Sequence, residues 1–218
     1  MNIPFTISDS EKKKLKHLST GRWANADLLL YGNTGTLWVV KDFSPCPVLV
    51  KAVYGRFMIK RELRALIRLQ GISGIPANPF QMDPYALCYE YIEGKTLKES
   101  RKEYVSRRYF LALEELVHTM HERNIVHLDI RYMRNILVRH DGTPAVLDFQ
   151  SSLFLDRLPK AFHQLLKDVD ISGVYKCWQK INPETLDSKR RNLLEAMEKK
   201  RQLWFFKGYP LGTRLSRR

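Results

Sequence analysis

Asp129, Asn135 and Asp148 are side chains of the kind that hold hard cations and move protons, and they fall within one stretch, residues 125–150, of short apolar runs and turn signals. Asp141-Gly142 inside it is a strong hairpin signal, because a two-residue type I′ turn needs two residues that tolerate positive φ. It predicts strands over 136–138 and 145–147. With those two residues as the loop, Asn135 stands opposite Asp148, Cβ atoms about 4.5 to 5.5 Å apart. An amide and a carboxylate converging at the open end of a hairpin can share one cation. Asp129 lies just upstream, in the loop that feeds this end. The plainer alternative is a surface hairpin with Asn and Asp at its ends.

A second pair follows from periodicity. The run 36–43 alternates Leu37, Val39 and Lys41 on one face with Trp38, Val40 and Asp42 on the other, which is the pattern of a strand. Lys41 therefore shares a face with apolar neighbours, and either snorkels to water or points into a cleft towards an anion. Over 57–70 the period becomes helical: Ile59, Leu63, Leu66 and Ile67 form a stripe, with Glu62 inside it. A carboxylate on a buried face is costly unless paired. Lys41 is its natural partner; otherwise Glu62 marks only the edge of the stripe.

The remaining elements must position these groups. A strand is expected over 27–31 with a turn at 32–35, a Gly/Pro-rich loop with a short strand at most over 71–84, and a β-prone run over 85–92 that breaks at Glu93-Gly94-Lys95. Phe110, Leu113, Leu116, Val117 and Met120 describe a core helix over 109–123 leading into the chemistry-bearing stretch. His118 and His121, on or beside that helix without an evident third ligand, read as structural. Helices follow over about 160–180 and 183–206, the second with Asn182 as N-cap and Pro183 in the first turn.

His127-Leu128-Asp129, then Asn135, then Asp148-Phe149-Gln150 resemble the catalytic loop and metal-binding triplet of protein-kinase-like phosphotransferases. Two departures stand out. Five residues rather than four separate Asp129 from Asn135, and Gln150 replaces the glycine that ends the triplet, which suggests a triplet less able to flip its backbone. Lys41 and Glu62 match the strand lysine and helix glutamate of that fold. The segment Ser19-Thr20-Gly21-Arg22-Trp23-Ala24-Asn25 resembles the nucleotide loop of RIO-type kinases, departing from it at Arg22 and Trp23. The region from Val39 through Glu62 and Asp129-Ile130-Arg131 are also similar to bacterial kinases of lipopolysaccharide-core sugars. With no Ala-Pro-Glu triplet and little chain for a large helical subdomain, the resemblance is to the atypical branch.

The resemblance implies an α+β fold of two lobes in a single domain, 1–92 a mainly antiparallel β lobe with one helix and 93–218 a reduced helical lobe. It implies ATP and Mg²⁺, with Asn135 and Asp148 on the metal, Asp129 as base, and Arg131 either near the transferred phosphate or exposed in solvent. Ser19, Thr20, Gly21 and Lys41, steadied by Glu62, would take the nucleotide phosphates, and the backbone of Glu90 and Ile92 the adenine. The acceptor stays open between a protein serine or threonine and a lipid-linked sugar.

Composition bounds the classes. With 218 residues, 44% of them hydrophobic, the chain can bury a full core. No apolar run is long enough to span a bilayer, the polar start has no signal-peptide core, and three widely spaced cysteines suit a reducing compartment, so a cytoplasmic location is expected. The net charge of +14 is concentrated at the end, where 188–218 carry ten Lys or Arg against Glu195 and Glu198. Such a segment suits peripheral contact with the inner face of an anionic membrane or with RNA, or is simply a solvated face. A nucleotide-binding pseudokinase and a basic RNA- or ribosome-binding protein are the alternatives to an enzyme.

Overall fold

The computed structural model describes residues 4–12, 15–21, 23–100, 103 and 105–206, for 9–10 and 201–206 the backbone alone. Arg22 of the nucleotide-loop motif and the basic tail beyond 206 lie outside the described residues. A five-stranded antiparallel sheet has the order β1-β2-β3-β5-β4, with β1 Lys16–Ser19, β2 Asp27–Asn33, β3 Thr36–Asp42, β4 Phe80–Asp83 and β5 Ala86–Glu90. The alternation expected of β3 is realised: Val39 joins the main core while Trp38 and Val40 pack on the outer face. That face is closed by the N-terminal segment through Phe5, Ile7 and Leu15. Lys12, in the short α1 (Asp9–Lys12), reaches Asp83 at 2.7 Å and the buried Asp42 at 3.4 Å, tying the segment down.

Helix α2 (Arg56–Arg68) crosses the inner face, entered through a π-helical turn Val50–Gly55. Gly55 allows the close approach: a Cβ there would stand 3.0 Å from Phe43. Beyond β5 the chain becomes mainly helical. Helices α3 (Arg107–Glu122), α4 (His163–Ile181) and α5 (Ser188–Phe206) surround short antiparallel pieces: β6 (Lys95–Thr96) with β8 (Ile136–Val138) and β9 (Pro144–Val146), and β7 (Ile125–Val126) with β10 (Leu153–Phe154). One core runs from Val39, Leu66 and Leu87 through Phe110, Leu113 and Phe149 to Trp178, whose ring stacks on Phe110 at 5.1 Å. This is the expected α+β kinase-like architecture, an antiparallel β lobe with its helix on a helical lobe.

The start of the last helix differs from expectation. Pro183–Thr185 is a separate 3₁₀ turn, and Asn182 donates its side-chain amide to the Val105 carbonyl instead of capping. Asp187 receives the Arg190 N–H at 3.1 Å and starts α5. A buried carbonyl in need of a donor outweighs a local capping preference.

Candidate active site

The hairpin at the centre forms in a different register. Pairs are Ile136↔Val146, Leu137↔Ala145 and Val138↔Pro144, closed by Arg139 N–H to Thr143 O at 3.0 Å. The loop is thus the three residues His140, Asp141 and Gly142. Gly142 alone takes positive φ, at 76°, while the Asp141 carboxylate accepts from the Thr143 N–H and hydroxyl at 2.9 and 2.6 Å. That side-chain turn makes the three-residue loop preferable to a type I′ turn. Asn135 consequently faces Leu147, whose N–H it accepts at 2.8 Å, and the expected Asn135–Asp148 pairing is corrected by one residue. Asp148 lies one step further, in left-handed backbone with φ 64°.

From there the Asp148 carboxylate reaches across to Lys41 Nζ at 2.8 Å, and the same ammonium meets Glu62 at 2.7 Å. Lys41 thus points into the cleft. It is 6% exposed and Glu62 1%, so both charges are held by their contacts rather than by water. Burial alone would lower the Lys41 pKa, but the fields of Glu62 and Asp148 reverse this and raise it, so the amine stays charged. Burial raises the Glu62 pKa, against the pull of Lys41. The second Glu62 oxygen accepts the Phe149 N–H at 3.3 Å, linking α2 to the residue after Asp148. Arg61, the neighbour of Glu62 on α2, donates to the Ser152 and Ser151 carbonyls at 2.7 and 3.0 Å.

The catalytic-loop resemblance extends to Asp129 and Asn135. Two consecutive turns, Tyr132 N–H to Asp129 O and Asn135 N–H to Tyr132 O, take up the five intervening residues. Asn135 Nδ2 then meets Asp129 Oδ2 at 3.2 Å, so the extra residue does not separate the two. Burial pushes the Asp129 pKa above the usual carboxylate range, against the pull of His127 and Arg131. Burial acts in the same sense on Asp148, but there Lys41 prevails and the pKa is lowered. Two neighbouring carboxylates are therefore driven apart, one towards proton exchange and one towards permanent charge. Arg131 is exposed and lies over the Tyr132 ring, 5.0 Å from its centroid.

Sequence reasoning missed Asp170. This α4 carboxylate is 1% exposed and accepts the N–H groups of His127 at 2.7 Å and Leu128 at 2.6 Å, with His121 Nε2 at 3.1 Å. It braces Leu128, whose φ of 67° is strained for a branched side chain. A signal was present, since Asp170 shares a helical stripe with Val174, Cys177 and Trp178, the same logic that singled out Glu62. Gly173, one turn on, lets α4 rise close under the loop: a Cβ there would meet the Arg131 nitrogen at 3.0 Å. His121 has the structural role expected of it.

The other expected binding residues have hydrogen-bond partners outside this charged cluster. Ser19 ends β1; Thr20 and Gly21 follow, with the Gly21 N–H bonded to Asp27 at 2.7 Å. A Cβ at Gly21 would fall 2.0 Å from the Asn25 carbonyl oxygen, so the loop requires glycine there. Glu90 closes β5, its N–H on the Ala77 carbonyl at 2.9 Å and its carboxylate on Asn78 at 2.5 Å, and Ile92 lies two residues on. A cavity of about 570 Å³ adjoins Glu90 to Glu93, but its other walls are 71–75 and 139–141. Lys41, Asp129 and Asp148 are absent from its lining, so this cavity is not where the charged groups meet. Among the described residues no cluster of three or more His, Cys, Asp or Glu is placed to hold a metal, and no helix is long and apolar enough to cross a membrane.

Known proteins can now be set beside this geometry. A comparison with curated proteins returns no match. Among solved structures, the crystal structure of the Rio2 kinase from Chaetomium thermophilum is similar at a TM-score of 0.60 and 13% identity, over 89% of this chain and 75% of that one. At that identity the likeness speaks for the fold. The sequence model of the RIO domain matches residues 51–190, which hold Glu62, Asp129, Asn135 and Asp148 but neither Lys41 nor the Ser19 to Asn25 loop. With well over half its length matched, the chain belongs to the RIO family of atypical kinase-like proteins.

Proposed function

We propose that this protein is an ATP- and Mg²⁺-dependent phosphotransferase that moves the γ-phosphate to a hydroxyl acceptor. The observation that carries the reading is the Lys41 ammonium held between Glu62 and Asp148, with the partly buried Asp129 beside Asn135 on the same hairpin's approach. Lys41 has three N–H donors, and two have partners here, so a third remains for a phosphate oxygen. Asp148 and the Asn135 amide oxygen would hold the metal. One carboxylate and one amide suit Mg²⁺, which takes few protein oxygens and completes its shell with phosphate and water. In that position it supplies neutralisation of the charge on the phosphate oxygens.

In this reading Asp129 orients the acceptor hydroxyl and accepts its proton as the bond from that oxygen to the γ-phosphorus forms and the bond to the bridging oxygen breaks, with ADP leaving on its β-phosphate oxygen; its raised pKa makes it a better proton acceptor than an ordinary carboxylate. Arg131 sits at the acceptor side. Ser19, Thr20 and Gly21 contact the nucleotide phosphates, and the Glu90 carbonyl and Ile92 backbone meet the adenine edge. The lobes divide at 92/93, just before the break at Gly94. The acceptor is either a protein serine or threonine or a lipid-linked sugar, with the protein in the cytoplasm, and the basic C-terminal segment supports contact with an anionic membrane or RNA. Part of that charge has a structural use: Arg190 is spent on Glu114 at 2.7 Å and Asp187 at 2.5 Å.

Incubating the purified chain with γ-labelled ATP, Mg²⁺ and either protein extract or lipopolysaccharide-core acceptor tests the reading and separates the acceptors. Label transfer that disappears in Asp148→Ala supports it. ATP binding without transfer to either acceptor would point to a pseudokinase.

A further inference from the structure

Exposed apolar side chains gather along one edge of the β lobe. Val48 is 74% exposed, Leu49 81%, Val53 69% and Phe57 58%. Leu49, Val53 and Phe57 recur every four residues through the π-helical turn and into α2, so they form one ridge. Gly55, on the other side of that turn, is the residue seated on Phe43. Trp23, 90% exposed, extends the ridge, because its loop and Pro45-Cys46-Pro47, immediately ahead of Val48, wall one cavity of about 380 Å³.

Charge on the helical part of this edge has one sign, and Asp27, which lines the cavity beside Trp23, is engaged with the Gly21 N–H at 2.7 Å. Between residues 44 and 79 the only acid is Glu62, which is buried on Lys41. Arg56, Lys60 and Arg64 are exposed, again at four-residue spacing, and form a basic ridge beside the apolar one. Arg61 and Arg68, by contrast, are engaged with the Ser151 and Ser152 carbonyls and with Asp156.

We propose that this edge is a docking surface for an anionic phospholipid bilayer. Tryptophan and aliphatic side chains seat at the boundary between headgroups and acyl chains, and a flanking row of Lys and Arg meets the anionic headgroups. A second copy of the chain fits poorly, since the basic ridge would confront a ridge of its own sign. Nucleic acid would use the charges and leave the apolar ridge in water. The residues of this surface are not those of the basic tail, and its use does not depend on phosphate transfer.

The test is sedimentation of the full chain with phosphatidylcholine vesicles, with and without phosphatidylglycerol. Binding is expected only with the anionic lipid. The triple variant Leu49→Ser, Val53→Ser, Phe57→Ser should weaken it about 10-fold or more, and Lys60→Glu with Arg64→Glu by about 5-fold for each positive charge removed. All five residues are exposed or on the helix surface, so an unchanged thermal midpoint checks the fold. A third variant, Arg214→Ser, Arg217→Ser, Arg218→Ser, separates the tail. Failure to bind anionic vesicles overturns the proposal. So does binding that survives the first two variants, binding lost only in the third, or self-association or capture of an acidic protein that is abolished by the triple variant while vesicle binding is not.

Discussion

The two arms of the site are held in similar ways by different parts of the molecule. The loop 127–135 hangs from Asp170 on α4, and the segment 148–152 hangs from Glu62 and Arg61 on α2. Each arm has a residue in left-handed backbone, Leu128 or Asp148, beside N–H groups that a buried carboxylate accepts. The difference is in what else the anchor does. Asp170 is wholly occupied with backbone and His121, whereas Glu62 also fixes Lys41. One arm is therefore fastened to the helical core, and the other to α2. Contact between them runs through His127, whose ring lies 4.8 Å from that of Phe149 and whose Nε2 pairs with Leu147 O at 3.0 Å.

Removing the charged ends of the arms should have the largest effect. Asp148→Ala and Asp129→Asn are each expected to lower Mg²⁺-dependent phosphate transfer by about 10²-fold or more with the fold retained; steady-state rates on a working acceptor check this, and wild-type turnover in either variant would remove the assignment. The anchors come next and should split. Asp170→Ala leaves buried N–H groups unpaired and should cost about 2 to 4 kcal/mol in denaturant unfolding, while Glu62→Ala should act chiefly on turnover, by about 10-fold. Equal stability losses in both would erase the contrast between the arms. Arg61→Ala removes two hydrogen bonds to the triplet's far side, and a fall in kcat of about 5-fold, roughly 1 kcal/mol, is expected with little change in KM for ATP.

The smallest effects are in pH. On the proposed reading Asp129 acts as the deprotonated base, and its pKa is raised, so the acid limb of kcat/KM should lie above the ordinary carboxylate value of about 4. Arg131→Ala takes away a charge that lowers that pKa, so the limb should move further up. Asp148 has the opposite sign. Its folded pKa is depressed, so its contribution to stability is complete above the unfolded value of about 4 and is lost as pH falls through the folded one. Unfolding measured from pH 7 to pH 2 in wild type and Asp148→Asn shows the difference.

Lys41 and Glu62 were legible in the sequence because each broke a local pattern, a lysine on an apolar strand face and a carboxylate in a helix stripe. Asp129, Asn135 and Asp148 were legible as a constellation, but their register was not. A two-residue and a three-residue loop around the same Asp-Gly differ only in whether Asp141 turns its side chain onto Thr143, which depends on a hydroxyl two residues away. The α5 start failed for a related reason: the Val105 carbonyl that claims Asn182 is remote in sequence. Asp170 was open to the same rule as Glu62, an acid in the stripe of Val174, Cys177 and Trp178, but the run 170–175 is buried at every position and blurs the edges of that stripe.

The grouping of Lys41, Glu62, Asp148 and Asp129 has a consequence for what arrives first. Among these four side chains three carboxylates outnumber the single ammonium, so as ionised groups they carry a net negative formal charge. On the proposed reading a bare polyphosphate is turned away at this mouth and a cation welcomed, so the protein would select its nucleotide already escorted by metal. Discrimination between the free and the complexed co-substrate is then written into the arithmetic of four side chains and needs no moving part.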